Sequence, residues 1–208
     1  MAKMKLGAKA GREIIIATHN PGKLREMQAL LASFGVKILS LKDFPALPNV
    51  LEDGATFAQN AAKKAKTVAR TTGRPAIADD SGLVVKALGG RPGVFTSRFA
   101  GEETSDRNKC QSLLEEMAGV PEEQREAAFV CAIAVALPEG EVKMVEGECQ
   151  GRITFSPRGE NGFGFDPIFF VPELGKTMAE LEPEVKNQVS HRGRALQKLK
   201  LILPRFLA

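Results

Sequence analysis

Four short stretches of this 208-residue sequence combine residue types that could bind a phosphorylated ligand and a metal ion. The first is Thr18-His19-Asn20-Pro21-Gly22-Lys23, which follows an apolar run and opens a helical pattern. Asn20 suits the cap of that helix and Pro21 its first turn. Free N–H groups at a helix start bind phosphate, whereas the helix dipole disfavours a lysine there unless an anion lies nearby. The spacing alone fits a phosphate site and a solvated lysine about equally.

The second stretch is acidic and consists of Asp79-Asp80-Ser81-Gly82, to which Glu52 adds a further carboxylate. Adjacent carboxylates after a short apolar run can hold a hard cation, and Mg²⁺ prefers one or two carboxylates with waters and phosphate oxygens. The same letters are typical of a turn that begins with Asp and contains Gly. Taken alone, the pattern favours the turn over the metal site.

The third stretch places two phenylalanines on either side of a glycine and ends in a carboxylate, in the order Phe163, Gly164, Phe165, Asp166. Aromatic faces stack on nucleobases, and glycine lets the backbone approach a ligand closely. The alternative is a pair of core phenylalanines around a strand bulge. Without a ligand, that alternative is the better interpretation.

The fourth stretch gathers potential donors, Lys186, His191 and Arg192, around the start of the last helical pattern. A helix start disfavours cations, so an anion or a hydrogen-bond acceptor would explain their presence. The alternative is ordinary solvated surface charge.

The elements that must position these stretches begin as a β-α-β unit, which predicts a parallel strand pair. A strand over Glu13–Ala17 is followed by a helix that ends at Gly35 and by a strand over Val36–Ser40. A second helix begins with a capping pattern at Thr56 and runs to Gly73. The opening half of the sequence therefore predicts an α/β fold.

The middle of the sequence predicts a short strand over Pro75–Ala78, a turn at Asp79–Gly82 and a further extended segment over Leu83–Leu88. A third helix then begins at Ser105 and ends near Gly119. The acidic stretch is thus predicted to lie in a turn.

The last part predicts a β-hairpin from Ala127–Leu137 and Val142–Gln150, then a strand at Pro167–Val171. A final helix begins near Arg192 or Gly193. We expect the hairpin to form a lobe of its own. The predicted fold is α/β, a two-lobed mixed sheet flanked by helices, with a cleft between the lobes.

The composition is that of a globular protein with a mild positive charge. Hydrophobic residues make up 43% and the formal net charge is +4, which suits an anionic small molecule and is too weak for a nucleic-acid partner. No stretch approaches the roughly 20 apolar residues of a membrane span. Three widely spaced cysteines fit a reducing cytoplasm rather than a disulfide framework. We interpret residues 1–12 as a flexible N-terminal extension and 13–208 as one two-lobed domain.

Taken in order, these stretches resemble the inosine/xanthosine triphosphate pyrophosphatase family. The resemblance extends from Ile14 to Leu203. No single motif is specific, but several in one order leave little room for coincidence. The motifs that carry it are ATHNPGKLREM, EDGATFAQNAAKKA, IADDSGL, ALGGRPGVFTSRFAG, GFGFDPIFF and KNQVSHRGRAL.

The resemblance implies a role for each matching position. Glu52 and Asp80 would bind Mg²⁺, Asp80 would also activate water, and Ser81 would contact the substrate. The loop Phe163–Asp166 would cradle the base. The residues implied in phosphate binding are Thr18, Asn20, Lys23 and Lys64, with His19, Pro21 and Gly22 in the same loop. Those implied in reading the purine edge are Lys186, His191 and Arg192, and Arg98 is a further implied contact.

The resemblance further implies a cytoplasmic homodimer that hydrolyses ITP, dITP, XTP or dXTP, with Mg²⁺ as cofactor, in a nucleotide-binding cleft. Lysine and arginine are donor-only groups, so they match the 6-oxo group of hypoxanthine and xanthine and mismatch the 6-amino group of adenine. Guanine shares the 6-oxo group, so its rejection needs a further device that the sequence does not show. The alternatives are a non-catalytic nucleotide-binding module and a pyrophosphatase for modified pyrimidine nucleotides.

Overall fold

The computed structural model describes residues 13–32, 35–101 and 104–206, so the predicted N-terminal extension, residues 1–12, lies outside the described residues. The helices are α1 (Pro21–Leu31), α2 (Phe57–Thr72), α3 (Asp106–Glu116), α4 (Pro183–Val189) and α5 (His191–Phe206). The strands are β1 (Glu13–Ile16), β2 (Lys37–Ser40), β3 (Ala76–Val85), β4 (Glu126–Ala136), β5 (Val142–Ile153), β6 (Phe169–Val171) and β7 (Lys176–Thr177).

All seven of these strands form one mixed sheet in the order β2-β1-β3-β4-β5-β6-β7. β1 runs parallel to β2 and β3, whereas the remaining neighbours are antiparallel. The predicted α/β class and the opening β-α-β unit are therefore confirmed. The sheet passes through both of the predicted lobes, and the cleft between lobes stays a prediction.

Helices cover both faces of the sheet because β1 is apolar on both sides. Ile14 and Ile16 pack with residues of α1 and α5 on one face, and Ile15 packs with the alanine-rich side of α2 on the other. Successive side chains of a strand point to opposite faces, so one short strand supplies both cores. A third apolar cluster surrounds Leu83 and Phe169 at the far end of β3 and β5.

The predicted turn at Asp79–Gly82 is wrong, because these residues lie in the middle of β3. β3 pairs along its whole length with β4, and Asp80 lies opposite Ala132. The backbone partners come from a strand about fifty residues away, so the local turn propensity of Asp and Gly is overridden by a ladder that the local pattern does not contain. Asp79 and Asp80 consequently point to opposite faces of the sheet.

The C-terminal region contains one helix more than the sequence predicted. α4 (Pro183–Val189) is followed by Ser190, whose extended backbone separates it from α5. α5 begins at His191 and continues through Pro204. This break places Lys186 on one helix and Arg192 on the next. Within the described part of the chain, no helix is long and apolar enough to cross a membrane.

Candidate functional site

A cavity of about 330 Å³ brings together residues from all four stretches. Three predicted site residues, Pro21, Gly22 and Arg98, are not part of its lining. The predicted residues that do line it are Thr18, His19, Asn20, Lys23, Glu52, Lys64, Asp80, Ser81, Phe163, Gly164, Phe165, Asp166, Lys186, His191 and Arg192.

The loop between β1 and α1 is fixed by its own side chains. Asn20 caps α1, since its Oδ1 accepts a hydrogen bond of 3.0 Å from the Lys23 backbone N–H. Thr18 Oγ1 in turn accepts the Asn20 backbone N–H at 3.2 Å. A Cβ on Gly22 would lie 2.5 Å from Cδ1 of Phe163. Glycine is therefore required at position 22 for the Phe163 ring to pack over the helix start.

Asp79 is a fully buried counter-ion and faces α1 and α5. Its Oδ2 lies 2.8 Å from Arg192 Nη2 and 3.2 Å from Lys23 Nζ. Burial by itself would raise the pKa of Asp79, but Lys23 and Arg192 hold that pKa far below its usual range. Asp79 stays ionised and fixes the two cations, although it does not line the cavity.

Asp80, on the opposite face, belongs to a second group of charges. Its Oδ2 accepts a hydrogen bond of 2.9 Å from Asn60 Nδ2, and its Oδ1 accepts the backbone N–H of Ser81 at 3.0 Å. The Lys64 ammonium lies 3.9 Å from Asp80 Oδ1 and 2.5 Å from Glu52 Oε1. Burial raises the pKa of Asp80 above its usual value despite the nearby Lys64. One lysine thus holds two carboxylates beside the cavity.

Arg98 contacts Glu52 from outside the cavity. Its Nη2 donates a hydrogen bond of 3.2 Å to the Glu52 carbonyl oxygen, and its guanidinium lies 4.9 Å from the centre of the Phe95 ring. This arrangement positions the Glu52 loop. The contact that the structure shows for Arg98 is therefore with a site residue.

Lys186 is the centre of a buried ion-pair group. Its Nζ lies 2.5 Å from Asp166 Oδ2 and 2.8 Å from Glu26 Oε1, and 4.7 Å from the centre of the Phe163 ring. Asp166 Oδ2 also accepts the Phe163 backbone N–H at 2.8 Å. The Phe163 loop, α1 and α4 are therefore joined through one ammonium group.

Arg192 and His191 begin α5 and are both buried. Arg192 pairs with Glu26 through Nη1 and donates to Ser81 Oγ at 2.9 Å. The His191 ring stacks on Phe129 with ring centres 4.8 Å apart. Burial lowers the pKa of His191 well below its usual value, and Arg192 and Lys186 lower it further. The imidazole is thus neutral, and its Nδ1 has no hydrogen-bond partner among the described residues.

The two phenylalanines of the third stretch have different surroundings. Phe165 is only 2% exposed and belongs to the third apolar cluster, where its ring meets Phe99 edge-on at 5.9 Å. Phe163 is half-buried and lies over Lys186. Both line the cavity, but Phe163 presents the more accessible ring.

Sequence reasoning missed Glu26, Asn60 and Lys109. Glu26 lies one helical turn after Lys23, which was a usable signal, because residues three apart share a helix face. Asn60 lies one turn before Lys64 on α2 in the same way. For Lys109 the sequence contains no local signal, since its burial depends on how α3 packs against the rest of the chain.

This arrangement defines an α/β protein whose cavity offers cations for an anionic ligand, carboxylates for a cation and an aromatic ring for a planar group. A family model described as the Ham1 family matches residues 14–202. The chain belongs to the Ham1 family.

Similarity to other proteins extends over nearly the whole chain. The chain is 58% identical over 188 residues to a dITP/XTP pyrophosphatase of Geobacillus kaustophilus, covering 90% of this chain and 92% of that protein. It is 55% identical to a dITP/XTP pyrophosphatase of Geobacter sulfurreducens, covering 90% and 94%. A solved HAM1 protein from Coxiella burnetii superposes with a TM-score of 0.85 at 43% identity, covering 93% of this chain and 99% of that one.

Proposed function

We propose that this protein hydrolyses the triphosphates of non-standard purines, ITP, dITP, XTP and dXTP, to the nucleoside monophosphate and pyrophosphate. The proposal is supported by two relatives, each named a dITP/XTP pyrophosphatase, that match 90% of this chain. The observation that carries it is the content of one cavity. The carboxylates of Glu52 and Asp80, which share Lys64, line the same cavity as the start of α1. Phe163 and the donors Lys186 and Arg192 line it as well.

A divalent cation is proposed to bind at Glu52 and Asp80, and we propose Mg²⁺. Both carboxylates line the cavity and are near enough to share one ammonium group. The described residues contain no cluster of three or more metal-binding side chains. Mg²⁺ fits such a sparse oxygen set, because it takes one or two carboxylates and completes its shell with waters and substrate phosphates. Bound there, it would neutralise charge on the triphosphate.

Asp80 is proposed to orient the attacking water. Asn60 and the Ser81 backbone N–H each hold one of its oxygens, so the carboxylate has a fixed direction. In the reaction, the water oxygen forms a new bond to the α-phosphorus, the bond from that phosphorus to the α–β bridging oxygen breaks, and pyrophosphate leaves with the electron pair, while the water gives up one proton to the solvent. Lys23 and Lys64 are proposed to hold the phosphates during this step.

Specificity for the 6-oxo group is proposed to come from Lys186 and Arg192. Their carboxylate partners, Glu26, Asp79 and Asp166, fix them in position. Both are donor-only groups, so an adenine 6-amino group facing them would leave buried donors unpaired. That mismatch costs about 1–3 kcal/mol per group.

The test is pyrophosphate release from a panel of triphosphates, with and without Mg²⁺. We expect release from ITP and XTP only with the metal, and little from ATP. Equal rates for ATP and ITP would contradict the proposed specificity. Release from modified pyrimidine nucleotides alone, or from none of the panel, would contradict the proposed function.

We further propose a homodimer in the cytoplasm. The basis is the family resemblance and the three cysteines, Cys110, Cys131 and Cys149, which are free and buried and so need no oxidising compartment. Light scattering would measure the oligomeric mass, and cell fractionation the location. A monomeric mass, or recovery outside the cytoplasmic fraction, would contradict these proposals.

A further inference from the structure

Lys109 is a cation of the cavity that differs from the others in its partner. Among the described residues, five lysine and arginine side chains line the cavity. Four of them pair with carboxylates: Lys23 and Arg192 with Asp79, Lys64 with Glu52, and Lys186 with Asp166. Lys109, only 9% exposed, donates instead to the Ser97 carbonyl oxygen at 2.5 Å.

A buried ammonium without a counter-ion indicates a ligand. Within the described chain, no carboxylate oxygen makes an ion pair with Lys109 within the 4.0 Å that defines the pairs above. An ammonium group has three N–H donors, and the Ser97 carbonyl accepts one of them. Burying a charge is costly unless it is paired. The remaining donors of Lys109 are therefore available to an acceptor or an anion in the cavity.

The neighbours of Lys109 on α3 place it beside the Phe163–Asp166 loop. Asp106, three residues earlier, accepts the Gly164 backbone N–H at 2.6 Å. Cys110, the next residue, donates its thiol to the Gly164 carbonyl oxygen at 3.4 Å. Both contacts hold the glycine between the two phenylalanines. Lys109 therefore lies next to the loop proposed to cradle the base.

We propose that Lys109 donates a hydrogen bond to the purine at its 2-position and thereby selects among the 6-oxo purines. This inference rests on the proposed function. Xanthine has a 2-oxo acceptor there, hypoxanthine has only a hydrogen, and guanine has an amino donor. A donor-only ammonium matches the 2-oxo group of xanthine, tolerates the hydrogen of hypoxanthine and faces another donor in guanine. Lys109 then accounts for the rejection of guanine, which Lys186 and Arg192 do not explain.

The phosphates are the competing ligand for Lys109. Lys23 and Lys64 already accompany the α1 start and the paired carboxylates, so the triphosphate is provided with two other cations. A contact to phosphate or ribose would be the same for all purines. Comparing nucleotides that differ only in the base therefore distinguishes a contact of Lys109 with the base from one with phosphate or ribose.

The experiment measures kcat/KM for XTP, ITP and GTP in the full-length protein and in Lys109→Met. Methionine has a similar length and neither charge nor N–H donor. Losing a hydrogen bond from a charged donor corresponds to a fall of about 10- to 100-fold in kcat/KM. We expect kcat/KM for XTP to fall at least tenfold more than kcat/KM for ITP, while kcat/KM for GTP does not fall. An equal fall for all three nucleotides would overturn the inference and assign Lys109 to phosphate or ribose.

Two further variants keep the test independent of folding. Lys109→Gln retains an N–H donor for the Ser97 carbonyl without the charge, and its XTP:GTP ratio should also fall. Lys109→Arg keeps the charge and should retain more of the XTP preference than Lys109→Gln. Equal XTP:GTP ratios in all variants would overturn the inference. A wild-type protein inactive on ITP and XTP would instead contradict the proposed function itself.

Discussion

At the residue scale, two neighbouring aspartates have opposite electrostatic surroundings because a strand turns them to opposite faces. Asp79 meets Lys23 and Arg192, which lower its pKa. Asp80 meets one lysine at 3.9 Å, and burial raises its pKa. A lowered pKa means that the ionised carboxylate stabilises the fold, whereas a raised one means that ionisation is unfavourable to it. We therefore expect Asp79 to stabilise the fold, and Asp80, proposed above to orient the attacking water, to contribute little to stability.

Replacing each aspartate by asparagine should separate these two roles. Asp79→Asn leaves Arg192 and Lys23 without their shared buried charge and should lower the free energy of unfolding by about 3–5 kcal/mol. Asp80→Asn removes a charge that the fold disfavours, so its stability should equal or exceed that of the wild type while ITP hydrolysis is lost. Urea unfolding and pyrophosphate release measure both. A stable Asp79→Asn or an active Asp80→Asn would contradict this division.

His191 should make the stability of the protein depend on pH. Burial keeps the folded imidazole neutral, whereas in the unfolded chain it takes up a proton below about pH 6.5. The unfolded state then binds more protons, so the contribution of His191 to stability is complete above that pH and declines as pH falls below it.

The measurement compares wild type with His191→Gln by urea unfolding from pH 8 to pH 5. Below about pH 6.5, the wild type should lose up to about 1.4 kcal/mol per pH unit more than the variant. The comparison of slopes is unaffected by the lost packing on Phe129. Parallel pH profiles for the two proteins would show that His191 is protonated in the fold.

At the element scale, the site depends on how closely α5 approaches β5. A Cβ on Gly147 of β5 would overlap the carbonyl oxygen of His191 and the amide nitrogen of Ala195. These are backbone atoms and cannot rotate away. The first turn of α5 carries His191 and Arg192, so the position of both side chains depends on a glycine in a neighbouring strand.

Gly147→Ala should therefore displace α5. We expect a loss of about 1–3 kcal/mol in unfolding free energy from overpacking and a rise in KM for ITP, because His191 and Arg192 move. The matched control is Gly119→Ala, at an exposed position where an added Cβ meets nothing within 4 Å. Thermal unfolding and steady-state kinetics give both values. Two variants with the same behaviour would refute the close-approach argument.

At the scale of the whole molecule, one strand connects the three apolar clusters. β3 contributes Ile77 to the core under α1 and α5, Ala78 to the core under α2 and Leu83 to the third cluster. The clusters therefore share the ladder between β3 and β4, and we expect the loss of any one of them to weaken that pairing.

Unfolding of the whole chain should accordingly be a single transition. Calorimetry should give one peak, with the calorimetric enthalpy equal to the van't Hoff enthalpy. Two resolved peaks would show that the predicted lobes unfold separately.

Ligand binding should stabilise the whole molecule rather than one part. In Asp80→Asn, where ITP is not consumed, a concentration of 100 Kd contributes about 2.7 kcal/mol, which corresponds to a rise in Tm of about 5–10 °C for a chain of this size. ATP at the same concentration is the control and should give a smaller rise. Equal shifts for ITP and ATP would contradict purine discrimination at the 6-position.

Local sequence signals were sufficient for the elements that depend on neighbouring residues. Asn20 and Pro21 mark the start of α1, and Thr56 and Gly73 mark the two ends of α2, where the structure places the caps. The turn prediction at Asp79–Gly82 failed because the pairing partner of that segment is distant in sequence. Local propensity describes a residue's neighbours and not its ladder partner.

For the candidate site, the sequence by itself determined the family, the fold class and about half of the residues that line one cavity. Only the tertiary structure decided which charges neutralise each other: that Asp79 rather than Asp80 holds Arg192, that Glu26 joins Lys186 to Arg192, and that Lys109 is buried with no carboxylate partner among the residues that the structure describes. The physical reason is that residue types follow from the sequence, whereas burial and distance between charges depend on packing of segments far apart in the chain, and these set electrostatic energies.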